Sequence, residues 1–150
     1  ISQSKKSTPN TLVVGRNGLM ARIASIHAES LGANEIYMGV IEVEEANSGY
    51  RDCSRKYMDI IQAALRMDFA NSEFQILTPL VYMNKKQTMD LAYQMGKLEY
   101  LLDHTISCYE GVKGLGCQKC PACELRNEGI KEFLQFNPDI VFSYRADFKK

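Results

Sequence analysis

Residues 36–42 read Ile-Tyr-Met-Gly-Val-Ile-Glu. A compact apolar run of this length suits a strand of a parallel sheet whose two faces are both covered. Upstream, Met20, Ile23, Ala24, His27 and Leu31 recur at helical spacing. They predict a helix over 19–31 with that stripe inward, which makes His27 a packed core residue. Gly32 suits its left-handed cap. The turn 15–18 precedes this helix, residues 11–14 suit a short strand or extended arm, and the polar residues 1–10 read as a loop.

Downstream, 44–50 is a loop at the carboxyl end of the strand. A second helix over 54–69 is expected to bury Tyr57, Ile60, Ile61, Ala64 and Leu65, and a strand over 74–80 ends at Pro79, which donates no ladder hydrogen bond. Asn84 and Gln87 resemble a capping box opening a third helix through Met95, closed by Gly96. Residues 97–104 are short and helical. A last helix over 121–136 ends at Asn137-Pro138. Strands alternating with helices imply an α/β fold with a parallel sheet. With only two or three strands the sheet cannot cover its own helices, so it is expected to be incomplete on the N-terminal side. The chain opens on Ile1 rather than methionine, which we read as a processed or partial chain.

Lysine plus arginine equals aspartate plus glutamate, 18 each, and 45% of the 150 residues are hydrophobic. A balanced charge argues against broad attraction to a nucleic-acid backbone. No run approaches the roughly 20 apolar residues that span a bilayer, and no secretory signal is evident. These features point away from nucleic acid and membrane.

Four of the five cysteines follow the pattern Cys108-x8-Cys117-x2-Cys120-x2-Cys123. Four thiolates complete a tetrahedral zinc ion and leave no open position, so such a site is structural. An iron–sulfur cluster is the rival reading. Such crowding points to metal in a reducing compartment rather than to a disulfide framework. Cys53 stands apart and reads as a small buried hydrophobe.

Ligands of open α/β sheets bind outside the carboxyl ends of the strands. The turn Val14-Gly15-Arg16-Asn17 precedes a helix, where amides and Arg16 suit an anion or form an ordinary turn with a solvated arginine. The stretch Ser48-Gly49-Tyr50-Arg51-Asp52-Cys53 offers an aromatic face and a carboxylate, with Asp52 as a helix cap the plainer reading. Lys85 and Lys86 at the third helix suit a solvated charged face. His104 has no ligand spacing.

Taken together, Val13-Val14-Gly15-Arg16-Asn17, Ser48-Gly49-Tyr50-Arg51-Asp52-Cys53, Thr78-Pro79-Leu80, Thr105-Ile106-Ser107-Cys108-Tyr109 and Gly116-Cys117-Gln118-Lys119-Cys120-Pro121-Ala122-Cys123 resemble, in order and spacing, the 7-cyano-7-deazaguanine synthase family of queuosine biosynthesis. The resemblance runs from about Thr11 to about Asn137. It implies a Rossmann-like fold of the adenine nucleotide alpha hydrolase type, with a C-terminal zinc-binding loop and helix. It implies an ATP-dependent ligase of the pyrophosphatase-loop superfamily that makes 7-cyano-7-deazaguanine from 7-carboxy-7-deazaguanine and ammonia. ATP with magnesium would be a substrate, zinc the structural metal, and the assembly a cytoplasmic homodimer. By position, Cys108, Cys117, Cys120 and Cys123 would hold zinc, Arg16 and Asn17 would face the nucleotide, and Tyr50 and Asp52 would face the deazapurine. No catalytic residue is assigned.

The family usually has proline where Val14 and Arg51 stand, often has glutamate where Gln87 stands, and opens with a Ser-Gly-Gly-x-Asp-Ser phosphate loop that these 150 residues do not contain. We therefore expect residues 1–105 to be the remainder of an ATPase domain and 106–150 a zinc loop, helix and tail. This stretch alone is expected to be inactive and to expose an edge of the strand 36–42. A non-enzymatic zinc-bearing binding module on the same scaffold is the alternative function.

Overall fold

The computed structural model describes residues 13–43 and 50–140. It divides into two compact units, Ile1–Tyr82 and Met83–Lys150. The expected loop 1–10, the start of the arm 11–14, most of the loop 44–50 and the tail beyond residue 140 lie outside the described residues.

In the first unit, helix α1 (Arg16–Ser30) leads to strand β1 (Glu35–Tyr37), a 3-10 turn (Arg51–Cys53), helix α2 (Arg55–Asp68) and strand β2 (Gln75–Leu77). Val13 and Val14 form no strand; Val14 already belongs to the turn into α1. The strands pair in parallel, with Ile36 opposite Ile76, as a β-α-β unit. Both are shorter than the apolar runs that announced them. Beyond β1 the backbone keeps its company through single bonds, from Met38 N–H to the Leu77 carbonyl at 2.8 Å and from Glu42 N–H to the Val81 carbonyl at 2.7 Å. Ile36 is buried between an exposed Glu35 and an exposed Tyr37. The described residues therefore cover one face of this strand, not both. Met58, Leu65, Phe74, Ile76, Val40 and Val81 form the core, with Ala21 and Ala28 closing it from α1.

The inward face of α1 corrects the sequence expectation. Gly18, Ala21, Ser25 and Ala28 are the buried residues. Met20, Ile23 and Leu31 are 54%, 60% and 71% exposed, and His27 is exposed rather than packed. The reason is steric. The Tyr57 ring of α2 lies so close to Gly18 that a Cβ there would overlap it, and only small side chains let the helices approach. α1 is thus apolar on two opposite faces, one of small residues and one of large. Gly18→Ala is expected to destabilise the first unit by about 1–3 kcal/mol through overpacking. Tyr57→Leu in the same chain should recover part of the loss, and thermal melts of the two variants check this.

α2 begins where Ser54 accepts a hydrogen bond from Tyr57 N–H at 3.1 Å, a standard N-cap. Met58, not Ile60, joins Leu65 at full burial, and Ile60 is 61% exposed. Tyr57 and Ile61 pack against the core from its margin.

The second unit holds α3 (Lys85–Gln94), α4 (Leu98–His104) and α5 (Pro121–Phe136). The capping box is present in full: Gln87 N–H meets Asn84 Oδ1 and Asn84 N–H meets Gln87 Oε1, both at 2.8 Å. Gly96 follows α3 with φ +65°. Ala92, Leu98, Leu102, Ile130 and Phe133 form this core. α3 and α5 touch at Gly129, where a Cβ would stand 2.6 Å from Lys85 Cβ and 3.1 Å from its backbone carbon. By packing, α3 and α4 group with α5 and the cysteine loop. No helix among the described residues is long and apolar enough to cross a membrane.

Candidate functional site

The loop between α4 and α5 carries the cysteines, and its geometry follows from its backbone. Gly116 adopts φ +72°, and a side chain there would run into Cys123 Sγ and approach Cys108 Cβ to 3.3 Å. Glycine is required here on both counts. Gln118 at φ +59° turns the two-residue gap before Cys120. Pro121 then opens α5, and Cys123 lies in its first turn, so the helix start presents a sulfur to the loop.

The Sγ atoms of Cys108, Cys117, Cys120 and Cys123 all lie within 4.8 Å of one another. A tetrahedral zinc–thiolate site, with Zn–S near 2.3 Å, separates its sulfurs by about 3.8 Å. The four donors therefore fit one ion after small adjustment. Cys108 and Cys123 are buried and the other two half-buried. Backbone amides aim at the sulfurs, from Glu110 to Cys108 and from Cys120 to Cys117, each at 3.3 Å.

Without metal the thiols are unequal. At Cys108, burial works to raise the thiol, but the N–H groups of Cys117, Val112 and Glu110 outweigh it and bring it down to about 6. The Tyr109 N–H, against the opposing effect of burial, is the main cause that lowers Cys120. Burial, then Cys120, pushes Cys123 up to about 12. An incoming metal must displace the Cys123 proton, so metal uptake releases protons and strengthens as pH rises.

A second constellation forms at the carboxyl end of the sheet in the first unit. Asp52, only 6% exposed, accepts a hydrogen bond from Asn17 N–H at 2.9 Å. It thereby caps the first turn of α1 from 35 residues away. Asn17 Nδ2 also reaches Cys53 Sγ at 3.2 Å. Burial, then the Asp52 carboxylate, raises the Cys53 thiol, while Arg16 and Asn17 pull it down. Cys53 is half-buried rather than buried. The predicted Arg16–Asn17 turn and the Asp52–Cys53 turn are therefore neighbours. Arg16 is exposed and Tyr50 half-buried, its carbonyl accepting Cys53 N–H at 3.1 Å.

Arg55 was not singled out from the sequence, yet it ties this end together. Its Nη1 donates to the Ile76 carbonyl at 2.7 Å and to Thr78 Oγ1 at 2.8 Å. Its backbone N–H donates to Glu42 Oε2 at 2.9 Å, so Glu42 also caps α2. Its guanidinium pairs with Asp59 at 2.8 Å. Nothing local marks these roles, except that Glu42 closes an apolar strand and Arg55 and Asp59 are four apart on a helix.

Lys85 and Lys86 lie in the second unit and are not simply solvated. Burial lowers the Lys85 amine. Lys86 pairs with Asp90 at 2.6 Å and lies 4.7 Å from the centre of the Phe136 ring. His104 contributes no ligand to the cysteine cluster; its Nδ1 meets the Tyr100 carbonyl and its ring stacks on Tyr100.

The family model described as queuosine biosynthesis protein QueC matches residues 1–134. The chain is 41% identical over 128 residues to the 7-cyano-7-deazaguanine synthase of Shouchella clausii, covering 85% of this chain and 57% of that protein. It is 41% identical over 140 residues to the enzyme of the same name from Lysinibacillus sphaericus, covering 93% of this chain and 59% of that protein. The chain thus spans somewhat over half the length of these relatives.

Proposed function

Because the chain belongs to the queuosine biosynthesis protein QueC family, we propose that it serves in an ATP-dependent ligase that converts 7-carboxy-7-deazaguanine and ammonia to 7-cyano-7-deazaguanine. Supporting this reading, two relatives at 41% identity carry the name 7-cyano-7-deazaguanine synthase. The observation that carries it is the meeting of two motif loops through the Asn17 N–H to Asp52 bond of 2.9 Å, at the carboxyl end of a parallel sheet. That is where α/β folds of the adenine nucleotide alpha hydrolase type bind their ligands.

The chemistry is two rounds of activation. A carboxylate oxygen attacks the α-phosphorus of ATP and pyrophosphate leaves. Ammonia attacks the resulting acyl adenylate, AMP departs, and loss of a proton leaves the amide. A second ATP adenylates the amide oxygen with loss of pyrophosphate, and departure of AMP with both amide protons gives the nitrile. In this reading Arg16 and Asn17, in the first turn of α1, face the nucleotide and its magnesium-bound phosphates. Tyr50 offers a ring to the deazapurine, and Asp52 presents a carboxylate to its guanine-like edge. Cys108, Cys117, Cys120 and Cys123 hold zinc, which with no open position shapes the loop and does no chemistry. A reducing, cytoplasmic setting suits four free thiols, and the active assembly in this reading is a homodimer.

The test is Asp52→Asn. Asparagine keeps an acceptor for Asn17 N–H, so the cap of α1 survives while the charge is lost. Binding of 7-carboxy-7-deazaguanine should weaken by roughly 1.5–3 kcal/mol, the worth of a hydrogen bond to a charged group, with ATP binding changed much less. Calorimetry showing the same deazapurine affinity in both proteins would remove Asp52 from the pocket.

A further inference from the structure

Arg126 is 6% exposed, on α5, one helical turn beyond Cys123. A buried guanidinium is costly unless a negative partner compensates it. Among the described residues no carboxylate forms an ion pair with it. Its partner is neutral: Nε and Nη2 both donate to Asn127 Oδ1, at 3.2 and 3.1 Å. Asn127 in turn donates from Nδ2 to the Leu115 carbonyl at 3.0 Å, on the loop just before Gly116. The guanidinium is therefore held in a fixed place.

That place adjoins the cysteines. A Cβ built on Gly116 would come within 3.5 Å of Arg126 Nη2 and within overlap of Cys123 Sγ, so cation and sulfur flank the same small gap. A divalent ion on four thiolates leaves a net charge of about −2 on the centre. A buried cation that pairs with no carboxylate among the described residues thus stands beside a partly buried group whose loaded form is a dianion. We propose that Arg126 is the counter-ion of the metal centre, with Asn127 as the arm that holds it against the loop. The inference rests on the reading of the cysteines as a four-thiolate zinc site. It assigns to Arg126 the electrostatic compensation of the negative charge that a loaded four-thiolate centre would carry. Residues just outside the ligand shell tune affinity in this way, and their loss typically weakens metal binding 10–100-fold.

The experiment measures zinc(II) affinity by chelator competition, and the pH at which cobalt(II) loads, for the whole chain and its Arg126→Leu, Arg126→Gln and Arg126→Lys variants. Arg126→Leu should lose at least about tenfold in zinc affinity, and its cobalt loading should move to higher pH, because protons compete better when the cation is gone. Arg126→Lys should recover most of both. If the leucine variant fails to fold, the comparison of glutamine with lysine, both polar but only one charged, decides the matter. A merely structural arginine would lower the melting temperature without moving the loading pH. Arg126→Gln with wild-type zinc affinity and loading pH overturns the counter-ion role while leaving the zinc site intact. A wild-type chain that binds no zinc overturns both readings together.

Discussion

Cys120→Ser should abolish metal binding at the cysteine cluster and cost the second unit several kcal/mol of stability. The four sulfurs lie within 4.8 Å of one another. The segment between α4 and α5 has no helix or strand of its own. Its order depends on a few hydrogen bonds such as the Asn127 link to the Leu115 carbonyl. Structural zinc contributes its binding free energy to folding, on the order of 10 kcal/mol in small zinc modules. Serine keeps the size of cysteine but is a much poorer zinc ligand at neutral pH. Metal analysis should read one zinc per wild-type chain and none per variant. The far-ultraviolet signal of α5 should melt at a markedly lower temperature in the variant. Iron in place of zinc, with charge-transfer absorbance, would redirect the reading to a cluster; an unchanged melt would show that the loop stands without metal.

Phe74→Ala should destabilise the first unit by about 3–5 kcal/mol, the usual cost of a large-to-small change in a packed core. Phe74 is fully buried, stacks edge-on with Phe69 at 5.2 Å between ring centres, and leads directly into β2. Its carbonyl also accepts Arg66 Nε at 2.7 Å, anchoring the strand to α2. The cavity would open beneath Met58, Leu65 and Ile76, neighbours in the same core. All these contacts lie within the first unit, so zinc content should stay at one per chain while denaturant midpoints fall. A variant that loses its zinc along with its stability would show that the two units fold as one.

Much of the architecture was legible because it is written over three or four residues. Asn84 and Gln87 cap α3 as their spacing announces. Gly32, at φ +71°, follows α1, its N–H donating to the Glu29 carbonyl at 2.9 Å. Pro121 and Asn137 bound α5 at the positions expected. Each signal is local: a side chain reaching its own helix end, or a backbone angle that only certain residues tolerate. The cysteine pattern is equally local on its C-terminal side, where gaps of two residues allow little but convergence on one ion.

The tertiary structure decided what periodicity could not. α1 carries one apolar face of small residues and another of large ones, and the large ones at helical spacing pointed to the wrong face. The choice went to the small stripe at Gly18, Ala21, Ser25 and Ala28, because Tyr57 of α2 needs the space above Gly18. Asp52 caps a helix 35 residues earlier rather than its own, and Arg55 takes the carbonyl of a strand 21 residues away. Arg126 acquires its meaning only from burial beside sulfurs that the loop brings round to it. The sequence by itself determined where α3 and α5 stop and start, that helices alternate with two parallel strands, and which cysteines belong together, because those depend on short-range sterics and spacing; α1 begins at Arg16, inside the stretch read as a turn. Which faces meet, and which charges end up buried with which partners, depended on contacts closed across long stretches of chain. Such contacts are set by shape and desolvation in three dimensions, and no local pattern records them.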